Sequence, residues 1–217
     1  MKYSLKVHPR ILCYNHWVAA IILQEDTIMP LLQPKETYFT AEDYYNTSEE
    51  DRVELIKGEF YDMASPSTTH QIISGELFTE INMYIRGNSG NCRVFSAPFD
   101  VQPDENDNRT VVVPDISVIC DRNKLTERGC KGAPDWIIEI TSPGNMSLDY
   151  IKKVRIYKRA GVRLYWIVNP MEAKVGVFDF GNGKDIPEEY TFDDSIKVSI
   201  YDDLSIDFKK IKDSLIS

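Results

Sequence analysis

Residues 111–143 read VVVPDISVICDRNKLTERGCKGAPDWIIEITSP. Two apolar runs of strand length and composition, VVVPDISVI and DWIIEITSP, flank a polar connection, and each carries a carboxylate in its interior, Asp115 and Glu139. An ionised carboxylate is costly inside an apolar run unless something compensates it. Alternate side chains of a strand share a face, so Val113, Asp115 and Ser117 point one way, as do Ile137, Glu139 and Thr141 in the second run. If the strands are neighbours, the two carboxylates converge, and with a nearby backbone carbonyl they suit a hard divalent cation. The simpler alternative places each carboxylate at a strand end, paired with a lysine or arginine.

Working outward, 217 residues suffice for one well-cored domain, and two would be cramped. An apolar content of 42% and a charged content of 27% are ordinary for a soluble globular protein. No apolar run reaches the length of a membrane span. The cysteines, Cys13, Cys92, Cys120 and Cys130, lack CxxC spacing and clustered histidines, which argues against zinc. A disulfide framework is not expected at this density, and a reducing cytoplasm fits best. The net charge of −9 offers no general footprint for a polyanion, so any nucleic-acid binding must depend on a local patch.

Residues 1–28 differ in texture from the rest, with few acids and an apolar portion, Trp17 to Leu23, too short for a signal peptide. Gln24-Glu25-Asp26 can be encoded by a purine-rich, ribosome-binding-like sequence just upstream of Met29. A native start at Met29 is one expectation, with residues 1–28 a non-native or disordered extension and 29–217 the functional domain. A genuine, loosely docked arm is the other.

From Phe39 the pattern becomes regular. Thr40 followed by Glu42 and Asp43 caps a short helix. Arg52 to Met63 reads as a hairpin about Lys57-Gly58. Glu54 lies on the same face as Ile56, although a solvent-facing glutamate is the commoner outcome. A loop, SPSTT, leads into a helix with Thr68 and Gln71 at capping-box spacing. Ile73, Leu77, Ile81 and Tyr84 form its buried stripe, it ends near Gly87, and His70 sits in its first turn. A strand is expected over Val94–Val101. After Pro143 a helix begins near Ser147 and stops at Gly161, with Asp149, Lys153 and Tyr157 on one side. Asp149–Lys153 could be an ordinary exposed ion pair, or Lys153 could aim at Asp115 and Glu139. Val162–Asn169, Lys174–Phe180 and Ile196–Ile200 read as further strands, with a last short segment from Leu204. Strands surrounding two long helices indicate one α/β domain with a mixed sheet.

A Pro-Asp strand, a glutamate-bearing strand and a lysine beyond it suit metal-assisted phosphodiester hydrolysis. With these residues in view, the chain resembles the Uma2 family of endonucleases, within the PD-(D/E)xK restriction-endonuclease-like superfamily. The likeness runs from Phe39 to Phe180 and rests on VELIKGEFYDM, SPSTTHQ, APFDV, VVVPDISVICD, GAPDWIIEITSP, the D-x-x-x-K-x-x-x-Y run from Asp149, and AGVRLYWIVNP. It implies a restriction-endonuclease-like domain, a central mixed sheet flanked by helices with an N-terminal hairpin. It also implies Asp115, Glu139 and the Ile140 carbonyl as ligands of Mg²⁺ or Mn²⁺, Lys153 as the catalytic cation, and Glu54 and His70 as auxiliary groups. The superfamily lysine normally stands two residues after the glutamate. Here that position is Thr141, and the Uma2 pattern supplies the lysine from the following helix. The implied activity is endonucleolytic, on nucleic acid and first of all DNA. The competing readings are a catalytically silent nuclease-fold module that binds nucleic acid or protein, and a hydrolase of small phosphorylated metabolites. The sequence leaves the oligomeric state open; a symmetric homodimer is common among nucleases that cut two strands.

Overall fold

The computed structural model describes residues 38–47, 52–88, 90–142 and 148–215. Tyr38–Ser217 form one compact unit. The expectations for residues 1–28 and for a domain starting at Met29 fall outside the described residues.

Helix α1 (Ala41–Tyr45) carries the expected cap: the Thr40 hydroxyl accepts from the Asp43 N–H, and the Asp43 carboxylate accepts from the Thr40 N–H. Strands β1 (Val53–Ile56) and β2 (Glu59–Asp62) form the hairpin. Its turn residues Lys57 and Gly58 both have positive φ, which lets two residues reverse the chain in keeping with strand twist. Helix α2 (Thr68–Gly87) buries Ile73, Leu77, Ile81 and Ile85 along one stripe. Its cap is Ser67, whose hydroxyl accepts from the His70 N–H, so the expected Thr68–Gln71 box starts one residue late.

The strand expected over 94–101 is broken into β3 (Arg93–Ser96) and β4 (Val101–Gln102). Pro98, with no N–H to give to a ladder, lies between them. Strand β5 is Ile116–Ile119, shorter than the apolar run containing it. Val111 and Val112 bridge instead to Leu55 and Val101, and Pro114 separates them from β5. Asp115 therefore stands at the mouth of a strand rather than inside one. The polar connection folds into β6 (Leu125–Thr126) and β7 (Gly129–Lys131), which join β4 in a small sheet. Strand β8 (Trp136–Ile140), helix α3 (Leu148–Ala160) and strand β9 (Leu164–Asn169) follow as a βαβ unit. The chain then forms β10 (Lys174–Phe178), β11 (Glu188–Thr191), β12 (Ser195–Lys197), β13 (Ser205–Asp207) and α4 (Phe208–Ser214). Strand β11 and helix α4 were not expected from the sequence. Both are short, and tertiary packing outweighs local pattern at that length.

The central sheet has the order β11-β10-β9-β8-β5-β3. Only β8 and β9 are parallel, and α3 connects them. Strict alternation divides the two layers. Trp136, Ile138, Leu164, Trp166 and Val168 pack with α2 and α4, whereas Ile137, Tyr165 and Ile167 pack with Tyr157 and Val154 of α3. Glu139 follows the second set by period, and so faces α3.

The register Arg93↔Ile119 places Cys92 opposite Cys120, and the two form a disulfide, contrary to the sequence expectation. The spacing of 28 residues gives no hint of that adjacency, because only the β3–β5 pairing creates it. Cys130 is free and buried. Among the described residues no helix is long and apolar enough to cross a membrane.

The cap assignment is testable by urea unfolding. Ser67→Ala should cost about 1 kcal/mol, while Thr68→Ala should change stability by only a few tenths. The reverse order would restore Thr68 as the cap.

Candidate active site

Strands β5 and β8 run antiparallel with Ile116 opposite Ile138. Asp115 immediately precedes β5 and Glu139 lies one residue past Ile138, so both are delivered to the same end of the strand pair. The Asp115 carboxylate turns into this junction: its Oδ2 accepts from the Ile140 N–H at 2.7 Å. Its Oδ1 lies 3.1 Å from Nε2 of His70. That imidazole reaches the junction because the Ser67 cap starts α2 beside it. Burial works against a charged His70, but the hydrogen bond and charge of Asp115, the charge of Glu139 and the Ile140 carbonyl together raise its pKa.

Glu54 on β1 is buried, so the less common placement of the two is realised. Its Oε1 accepts from the Val113 N–H at 2.8 Å, tying the hairpin to the segment before Asp115. Lys153 on α3 spans the remaining gap. Its Nζ donates to Glu54 at 2.9 Å and to Glu139 Oε1 at 3.0 Å. The same Glu139 oxygen accepts from the Tyr157 hydroxyl at 2.8 Å. Burial pushes Glu139 up to about 7, with Lys153 opposing the shift and Asp115 and Glu54 adding to it. Burial alone would lower Lys153, but Glu139 and Glu54 override it and hold its ammonium well above the usual lysine range.

Five sequence-predicted residues, Glu54, His70, Asp115, Glu139 and Lys153, thus line one cavity together with the Ile140 backbone. The Asp149 side chain lies outside the described residues. Sequence reasoning assigned no role to Tyr157, although its position one turn after Lys153 carried the signal. It also missed Tyr61 of β2, which lines the cavity and receives the Lys152 ammonium at 2.8 Å from its hydroxyl. Thr141, two residues after Glu139, lines the same cavity. Its Oγ1 and His70 Nδ1 are buried without a hydrogen-bond partner among the described residues.

The sequence profile of the Uma2 family, described as a putative restriction endonuclease, matches residues 36–209. Among solved structures, the crystal structure of a putative nuclease belonging to DUF820 from Anabaena variabilis is similar with a TM-score of 0.66. The match covers 80% of this chain and 97% of that one at 24% identity, a likeness of fold. No curated protein sequence matches the chain. The hairpin, the mixed sheet and the βαβ unit that deliver Glu54, Glu139 and Lys153 all lie inside the matched span, and the chain belongs to the Uma2 family.

Proposed function

We propose that this chain is a metal-dependent endonuclease that hydrolyses phosphodiester bonds of nucleic acid, DNA in the first instance. The observation that carries the reading is the arrival of Asp115, Glu139 and Lys153 at one cavity from three separate elements. Membership of a family described as restriction endonucleases supports the nuclease class.

The donor set fits a hard divalent ion. Asp115 and Glu139 with the Ile140 carbonyl would hold Mg²⁺ or Mn²⁺ through oxygen alone, with water completing the shell. Among the described residues no group of three or more histidine, cysteine, aspartate or glutamate side chains is placed to hold a metal, and the Ile140 carbonyl and water would supply the remaining ligands. The orphaned His70 Nδ1 and Thr141 Oγ1 are buried polar atoms of the kind that bound water satisfies. When bound, the ion polarises the phosphate and makes water an adequate nucleophile at neutral pH.

The chain's own groups do the rest. Lys153 keeps a fixed positive charge at the cavity wall, suited to orienting the attacking water and stabilising charge that develops on phosphate oxygens. Tyr157 and Lys153 both hydrogen-bond Glu139 Oε1, so Oε2 is the oxygen that would serve a metal ion. His70 and the Ile140 N–H orient Asp115, and Glu54 anchors Lys153. A second reading, a silent interaction module, is favoured by Lys153 and His70 already resting on the carboxylates. Calorimetric titration separates the two, since a site that takes up neither Mg²⁺ nor Mn²⁺ selects the module.

Purified protein with Mg²⁺ or Mn²⁺ should nick or degrade plasmid DNA. Asp115→Ala, Glu139→Ala and Lys153→Ala should each reduce the rate by at least about 100-fold, the scale of one electrostatic stabiliser. Persistent cleavage by Asp115→Ala points to a contaminant and defeats the assignment. A small phosphodiester assayed beside the plasmid tests the metabolite alternative.

Stability carries a second signature. The native state raises Glu139, so it binds that proton more tightly than the unfolded chain does. Its contribution is present below about pH 4.5 and is lost as pH rises through about 7. The raised Lys153 contributes stability that persists until pH exceeds the ordinary lysine range. Lys153→Met removes the compensating cation and should cost about 3–5 kcal/mol at pH 8. The cost should shrink at pH 5, where Glu139 is protonated. Urea unfolding at both values checks this, and an equal loss at each would contradict it.

A further inference from the structure

The protein carries a net charge of −9, yet α3 reads LDYIKKVRIYKRA, with five cations and one acid. The cations are not equivalent. Lys153 points inward to Glu54 and Glu139, and Lys158 pairs with Asp185 at 2.7 Å. Lys152, Arg155 and Arg159 stand at i, i+3 and i+7, the spacing that aligns side chains along one face of a helix. Arg155 and Arg159 are exposed, and neither joins an ion pair among the described residues. Lys152 lies at the cavity end of the stripe, its Nζ 4.5 Å from the centre of the Tyr61 ring and within hydrogen-bond distance of the Tyr61 hydroxyl. Tyr61 lines the cavity and donates its own hydroxyl proton to Glu59 at 2.6 Å, so the stripe begins where the candidate active site opens.

A row of fixed cations on the outside of an otherwise acidic molecule is the local patch that polyanion binding demands. Its dimensions suit a nucleic-acid backbone. Seven residues of helix rise about 10 Å, and a duplex advances about 3.4 Å along its axis for each phosphate of one strand, so a stripe laid along the duplex axis passes about three phosphates. We propose that Lys152, Arg155 and Arg159 form a phosphate track that grips the nucleic-acid strand beside the scissile bond and feeds it past Tyr61 into the cavity. This assignment rests on the nuclease reading of that cavity, and it adds the surface by which an acidic protein holds a polymer rather than a small phosphodiester.

Fluorescence anisotropy with a labelled DNA duplex of about 20 base pairs, in EDTA across a salt series, tests the track. Each phosphate contact contributes about −0.9 to the slope of log K against log salt. Lys152→Ala, Arg155→Ala and Arg159→Ala should each weaken binding and flatten the slope by about one, while Lys152→Arg keeps both. Lys209→Ala, which removes the same charge from an exposed site on α4, should leave the slope unchanged. Wild-type slopes in all three stripe variants overturn the track, as does an equal effect of Lys209→Ala, which would indicate net charge alone. In either case Mg²⁺-dependent cleavage by the wild type leaves the nuclease reading standing. A wild type that neither binds the duplex nor cleaves DNA overturns both. Turnover gives a second check: Arg155→Ala and Arg159→Ala should raise KM for plasmid DNA, while Lys209→Ala should not.

Discussion

The Lys153 ammonium is the charge on which the site depends. Glu54 and Glu139 are brought into one buried space, with Asp115 just beyond them. Carboxylates in such a place repel one another and lose hydration, and the cost is tolerable only with a cation shared between them. Lys153 is that cation for Glu54 and Glu139, and the His70 imidazole stands 3.1 Å from Asp115. The hairpin, the sheet and α3 are consequently bound to one another through a polar knot as well as through packing. Much of the fold can be understood as the apparatus that closes it.

That apparatus is economical in sequence. Strand β8, helix α3 and strand β9 form one continuous unit, and within it lie Glu139, Lys153 and Tyr157. The antiparallel partner β5 brings Asp115 across, and the Glu54–Val113 bond fastens the hairpin to the segment that precedes it. The apolar alternation in β8 and β9 makes this arrangement specific. A slip of one residue would send Glu139 into the layer occupied by Trp136 and Trp166.

Much of this was legible in the residues. Lys57-Gly58 announced the hairpin, the run from Ile73 to Tyr84 announced α2, and carboxylates inside apolar runs announced the site. Spacing could not say whether Lys153 met Asp149 or Glu139, because that depends on how α3 docks. Glu54 was legible as a face and not as a depth, since burial of a glutamate is decided by partners distant in sequence. Pro98 and Pro114 each interrupt a strand that composition alone would continue, because a proline has no N–H to give to the ladder. Cys92 and Cys120 became neighbours only through strand pairing, which no count of intervening residues reveals.

Lys153 stands on a helix and not on the strand that carries Glu139, and this changes what kind of force aims it. A lysine at Thr141 would be held by the ladder, where the Thr141 N–H donates to the Val168 carbonyl and each residue has an assigned place. A lysine on α3 is held by the packing of Val154, Ile156 and Ala160 against the sheet, and such packing is indifferent to small sliding and rotation. The Tyr157 hydroxyl restores direction. By fixing its helix to Glu139, the same carboxylate that Lys153 must address, it makes the target and the aiming device a single mechanical piece.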